Sequence, residues 1–167
     1  MHDELTAVDI KKMKEEIEYR KSVLTPKLKE DVRKARELGD LSENDEYRSA
    51  KRELNSNYSR IRYLTGMIET AIVIEDRSDD DTVGLFDHIT FAYEDDGTEE
   101  TVTIVTTLRT DALHRYISKE SPMGKALLGK KVGDRVLIRV NDNVSYYVVI
   151  KSFEKGEDDE SLEIRKY

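Results

Sequence analysis

Two long stretches of helical spacing meet at a connection too short to do anything but reverse the chain. Apolar residues recur at Ile10, Met13, Ile17, Leu24, Leu28, Val32, Ala35 and Leu38, and again at Tyr47, Ala50, Leu54, Tyr58, Ile61, Leu64, Ile68 and Ile72. Intervals of three and four, with one of seven in the first stretch, trace the seam of an amphipathic helix. Between the two lies Leu38-Gly39-Asp40-Leu41-Ser42-Glu43-Asn44-Asp45-Glu46-Tyr47. Gly39 can take the left-handed backbone that ends a helix. Ser42, followed three residues later by Asp45, reads as the capping box that starts the next. The chain therefore predicts an antiparallel helical hairpin. Folding it at the tip sets Leu38 against Tyr47, Ala35 against Ala50, Leu24 against Ile61 and Ile17 against Ile68. An arm of roughly 30 residues reaches roughly 45 Å. Thr6 or Asp9 can cap the first arm, and Pro26 predicts a kink or a break and restart near Thr25-Pro26.

The tip carries two carboxylates, Asp40 and Glu43. One reading is electrostatic compensation of the following helix dipole, with Glu46 in the same role. The other is chemical: two hard oxygen ligands on one small surface, too few to hold Mg²⁺ alone but able to complete a site shared with a partner. Between Arg20 and Leu64, Lys and Arg outnumber Asp and Glu by four, against a net charge of -8 for the whole chain. Arg33, Lys34 and Arg36 on one arm can flank Arg48, Lys51 and Arg52 on the other. That is either a solvated face with pairs such as Glu30–Lys34 or a basic collar able to touch a phosphate backbone.

The remaining composition narrows the function classes. The net charge disfavours general binding to nucleic acid or acidic membranes. The absence of Cys excludes disulfides and thiolate metal sites. No apolar stretch is long enough for a membrane span and no signal peptide is evident, so a cytoplasmic protein is expected. His2, His88 and His114 make no ligand pattern.

After the acidic stretch Glu75–Asp81 the period changes to two. Residues 89–93 and 101–105 alternate around an Asp96-Gly97 turn, and Val132-Gly133-Asp134 turns into a strand at residues 135–140 that Asn141-Asp142-Asn143 turns back into another at 145–153. Residues 111–117 read as a short helix or an irregular segment. Ser121-Pro122 starts a short helix that Gly129 ends. The expected organisation is a hairpin over residues 1–76 with its tip at 39–46, a linker at 77–82, a small α+β domain at 83–156 and an acidic, loosely held tail at 157–167. Residues 162–164 could add an edge strand. The fold class is α+β.

Residues 37–47, with Ala50-Lys51 after them, resemble the tip motif of the bacterial Gre (GreA/GreB-like) transcript-cleavage factors. Ser121-Pro122-Met123-Gly124-Lys125-Ala126-Leu127-Leu128-Gly129-Lys130-Lys131-Val132-Gly133-Asp134 resembles the signature of their C-terminal domain. The resemblance covers most of the chain. It implies a coiled-coil hairpin and an FKBP-like C-terminal domain that docks on RNA polymerase at the rim of the secondary channel. The hairpin then enters the channel, where Asp40 and Glu43 help bind a second Mg²⁺ and the 3′ end of backtracked RNA is cut. The protein would not itself be an enzyme. It would work as a monomer, meeting the nascent RNA only within the complex and no membrane. Ser42, Asn44 and Asp45 would support the tip, Arg36 and Lys51 would face RNA, and Ser121 and Pro122 would lie in the docking region. Thr25-Pro26 stands where the family often has Arg-Pro, and Asp45 where Ala is common. Residues 107–113 and the acidic tail also depart from the family pattern. The extra tip carboxylate leaves open a channel-binding regulator that inhibits rather than cleaves. A prolyl isomerase is disfavoured by the lack of Trp and the scarcity of aromatics in the second domain.

Overall fold

The computed structural model describes residues 2–39 and 44–166. The chain divides into two units, residues 10–71 and residues 1–9 with 72–167. The boundaries thus differ from the expected hairpin limit at residue 76. The first nine residues belong with the sheet because β1 (Glu4–Leu5) pairs in parallel with β2 (Ile72–Val73), Glu4 opposite Ile72.

The helical unit is built from α1 (Ala7–Tyr19), a π-helical turn at Arg20–Leu24, α2 (Thr25–Arg36) and α3 (Asp45–Thr70). Thr6 and Asp9 start α1 together. The Asp9 amide donates to Thr6 Oγ1 at 3.2 Å and the Thr6 amide to Asp9 Oδ2 at 3.0 Å, a reciprocal box. At Pro26 the first arm neither breaks nor restarts: Leu24 and Thr25 keep helical dihedrals. The ladder widens by one residue instead. The amide and hydroxyl of Thr25 both reach back to the Arg20 carbonyl, the hydroxyl at 2.7 Å. A proline lacks its amide and crowds the carbonyl four residues back, and the π turn relieves both.

Along the seam Met13, Leu28, Ala35 and Leu64 are buried, as the spacing predicts. Two polar side chains are buried beside them, Asn57 and Arg60. Arg60 binds Glu16 across the arms at 2.7 Å, Arg20 donates to Asn57 at 3.0 Å, and Asn57 donates to Thr25 Oγ1 at 2.7 Å. The expected pairing would set Arg60 against Thr25. Asn57 stands there, one turn nearer the tip. Leu38, expected against Tyr47, is 65% exposed.

The other unit centres on a five-stranded sheet of β3 (His88–Tyr93), β4 (Glu99–Val105), β5 (Tyr116–Ser118), β6 (Arg135–Arg139) and β7 (Ser145–Glu154), in the order β5-β4-β3-β7-β6. Only β4 and β5 pair in parallel. The alternation buries Ile89 and Phe91, Val102 and Ile104, Val136 and Ile138, and Val148 and Ile150, closed over by Leu127 of α4 (Pro122–Leu127). The four segments expected as strands are thus strands. Residues 111–117, expected as a short helix or irregular, end instead in β5.

The tail corrects its expectation twice. Residues 162–164 form no strand, and the tail is anchored rather than loosely held. Arg109, fully buried, binds Asp9 Oδ1 at 2.8 Å and Asp158 Oδ1 at 2.9 Å, while the Arg165 amide donates to the Leu108 carbonyl at 2.6 Å. Leu162 packs on the core. A guanidinium in the interior needs carboxylate partners, and the acidic tail supplies one of them.

Candidate functional site at the hairpin tip

Asp40, Ser42 and Glu43 lie outside the described residues. The two ends of the connection are described. Asn44, not Ser42, is the N-cap of α3: its side-chain oxygen accepts from the Tyr47 amide at 3.0 Å. The same side chain donates through Nδ2 to the Ala35 carbonyl at 2.7 Å. One amide group thus satisfies an orphan donor at the start of one helix and adds a second donor to a carbonyl at the end of the other, which also accepts from the Leu38 amide at 3.2 Å. Ser and Asn are both good caps, so local propensity does not choose between them. The bond to Ala35, nine residues away, favours Asn44. Gly39 has φ of +123°, outside the range of helical residues, and α2 has already ended at Arg36.

Behind the connection, three side chains from two helices converge. The Arg36 guanidinium carbon lies 5.6 Å and the Lys51 ammonium 5.7 Å from the centre of the Tyr47 ring. Hydrogen bonds from Arg36 first, and from Lys51, hold the Tyr47 phenol below its ordinary value. Arg36 and Lys51, expected to act together, are therefore brought together. The rest of the collar is partly spent. Arg33 is bound by Glu30 at 2.6 Å and Glu37 at 2.5 Å along its own helix, and Arg48 lies 3.6 Å from Asp45. The Asp45 side chain is nonetheless 94% exposed. Sequence reasoning did not single out Tyr47. Its position on the seam four residues before Lys51 was the available signal.

Ser121 and Pro122 lie in the other unit. The Ser121 hydroxyl accepts from the Gly124 amide at 3.0 Å and donates to the Ser118 carbonyl at 2.7 Å, so it is committed to capping α4. Pro122 is exposed. Gly124 is required by close approach: a Cβ there would stand 2.1 Å from the Ser118 carbonyl oxygen. The cap and the glycine together explain the Ser-Pro-x-Gly spacing. A cavity of about 570 Å³ in this unit is walled by His88, Thr103, Tyr116 and the acidic residues 157–160, a setting unlike an apolar proline pocket. Among the described residues no group of three or more His, Cys, Asp or Glu side chains could hold a metal ion, and no helix is long and apolar enough to cross a membrane.

Comparison with known proteins places these features. Residues 4–73 match the family model for the N-terminal part of the transcription elongation factors GreA and GreB, and residues 78–155 match that for their C-terminal part. The chain is 43% identical over 129 residues to transcription elongation factor GreA of Geobacillus kaustophilus, covering 77% of this chain and 82% of that protein. It is 40% identical over 148 residues to GreA of Bacillus licheniformis, covering 88% and 94%. Among solved structures, the GreA factor homolog 1 of Thermus thermophilus aligns over 93% of this chain and 100% of its own at 21% identity, with a TM-score of 0.42. Two adjacent family matches spanning nearly the whole chain, with relatives at about 40% identity, establish that the chain belongs to the GreA/GreB family of transcription elongation factors.

Proposed function

We propose that this protein binds RNA polymerase, inserts its hairpin into the secondary channel and stimulates cleavage of the 3′ end of backtracked RNA. The polymerase performs the cut; the factor contributes side chains. The observation that carries the reading is the Asn44 clamp, which ties the Ala35 carbonyl to the start of α3 and so fixes the ends of the segment bearing Asp40 and Glu43. The donor set suits a shared ion rather than a resident one. Two carboxylates leave most of an octahedral Mg²⁺ shell to phosphate oxygens, waters and another protein's ligands. Asp40 and Glu43 would hold that ion, which when bound supplies Lewis acidity at the scissile phosphate and a more acidic water. Arg36 and Lys51 would bind the phosphodiester, and Ser42 and Asn44 would support the loop. Pro122, presented by the Ser121 turn, would dock on the polymerase.

The test is a backtracked elongation complex with purified polymerase. Asp40→Asn and Glu43→Gln should each lower stimulated cleavage by about a hundredfold or more, while competition for polymerase binding stays at the parent level. Variants that cleave like the parent would remove those carboxylates from the reaction. The 94% exposure of the Asp45 side chain supports a second reading, a channel-occupying regulator in which the third carboxylate disfavours productive ion binding. On that reading the parent protein suppresses cleavage, and Asp45→Ala restores it.

A further inference from the structure

We propose that Tyr47 is a positioning residue: its phenol gathers Arg36 and Lys51 from opposite arms into one phosphate-binding pair. Two cations gathered on one ring repel each other. Among the described residues neither Arg36 nor Lys51 forms an ion pair, whereas neighbouring Arg33 and Arg48 do. Both are exposed. What holds them is Tyr47, with the two charged groups at nearly equal distances, 5.6 Å and 5.7 Å, from its ring centre.

Both cations stand against the Tyr47 ring, and its phenol oxygen can accept from either. The two cations also lower the phenol below its ordinary value, Arg36 contributing first. An exposed, preformed pair of donors that forms no ion pair among the described residues fits a phosphodiester, since phosphate oxygens accept charge-assisted hydrogen bonds from two sides. Pre-assembly removes the ordering of two long side chains from the cost of binding. Tyr47 itself sits at the third helical position of α3, where the Asn44 cap fixes its backbone amide.

The inference rests on the proposed role in RNA cleavage, and the experiment separates the two. The full chain is assayed with polymerase in a backtracked complex, alongside Glu43→Gln. Tyr47→Phe, which keeps the ring and removes the oxygen, should lower the cleavage rate at saturating factor by about tenfold. The half-saturating concentration should remain within about twofold. In an Arg36→Gln, Lys51→Gln background the same substitution should cost nothing further, as coupled groups require. In the free protein, NMR of ¹³Cζ-labelled tyrosine should show the Tyr47 phenol titrating below its ordinary value, and returning to it in the double variant. If the parent chain does not stimulate cleavage, the proposed function fails, and the titration still decides whether Tyr47 gathers the pair. A Tyr47→Phe protein that cleaves like the parent, an equal loss in both backgrounds, or an ordinary phenol titration would overturn the positioning role.

Discussion

Each unit of this protein buries one arginine, and the two are used differently. Arg109 lies in a unit with a thick apolar cluster. It has no side-chain exposure, meets Asp9 at 0% and Asp158 at 19%, and ties the start of α1 and the tail to one point. Arg60 lies in a two-helix seam that has no such cluster. Its carboxylate, Glu16, keeps 24% exposure and is shared with Arg20. Where the core is deep, an ion pair is cut off from water and its loss leaves an uncompensated charge. Where the core is thin, water and a second cation cushion the change. The sheet unit thus uses a buried charge to fasten peripheral segments, and the hairpin uses one to fix which residues of its arms meet.

The largest test of that contrast is Arg109→Met. It should destabilise the sheet unit by about 3–5 kcal/mol, because Asp9 stays buried without its partner, as read by urea unfolding and by hydrogen exchange of β3 and β4 amides. Arg60→Met should cost only about 1–2 kcal/mol, confined to amides of α1 to α3, since Arg20 still pairs with Glu16. Equal losses would break the comparison. Replacing Asn44 by Ala should cost the hairpin about 1 kcal/mol through the lost cap, with exchange rising first at the start of α3.

Acid gives the finest discrimination. Burial pushes the Glu16 carboxyl up, but hydrogen bonds and charge from Arg60 and Arg20 outweigh it and hold it below its ordinary 4.5. A carboxylate depressed on folding contributes stability that is present above the unfolded value and is lost as pH falls through the folded one. Hairpin amides should therefore lose protection progressively as pH drops below about 4.5. Glu16→Gln should flatten that slope, with the sheet amides unchanged by the substitution.

Much of the architecture was legible locally. Period-two alternation located β3 and β4, and turn residues located β6 and β7, and one face of each packs into the cluster. Period three-to-four located both arms because Met13, Leu28, Ala35 and Leu64 must leave water. The choice of Thr6 or Asp9 as the start of α1, and the capping role of Ser121, followed from the same short-range chemistry, while the structure shows that Thr6 and Asp9 act together. At the tip, Arg36 and Lys51 were legible as basic residues on the two arms, but not the Tyr47 ring that both approach. Tyr47 read as seam because an aromatic at helical spacing is usually core. The tail read as a solvated charge run because nothing in its own residues names a buried partner at Arg109.

By itself, then, the sequence determined the two helical arms, four of the strands, their order and the placing of an acidic turn between two basic arms, since each depends on contacts a few residues apart. Tertiary structure alone decided that Asn44 caps α3 through its bond to Ala35, that Asn57 rather than Arg60 stands at Thr25, and that Asp158 reaches Arg109. Those choices fall between locally equivalent groups. Only the free energy of satisfying a distant buried donor or acceptor separates them.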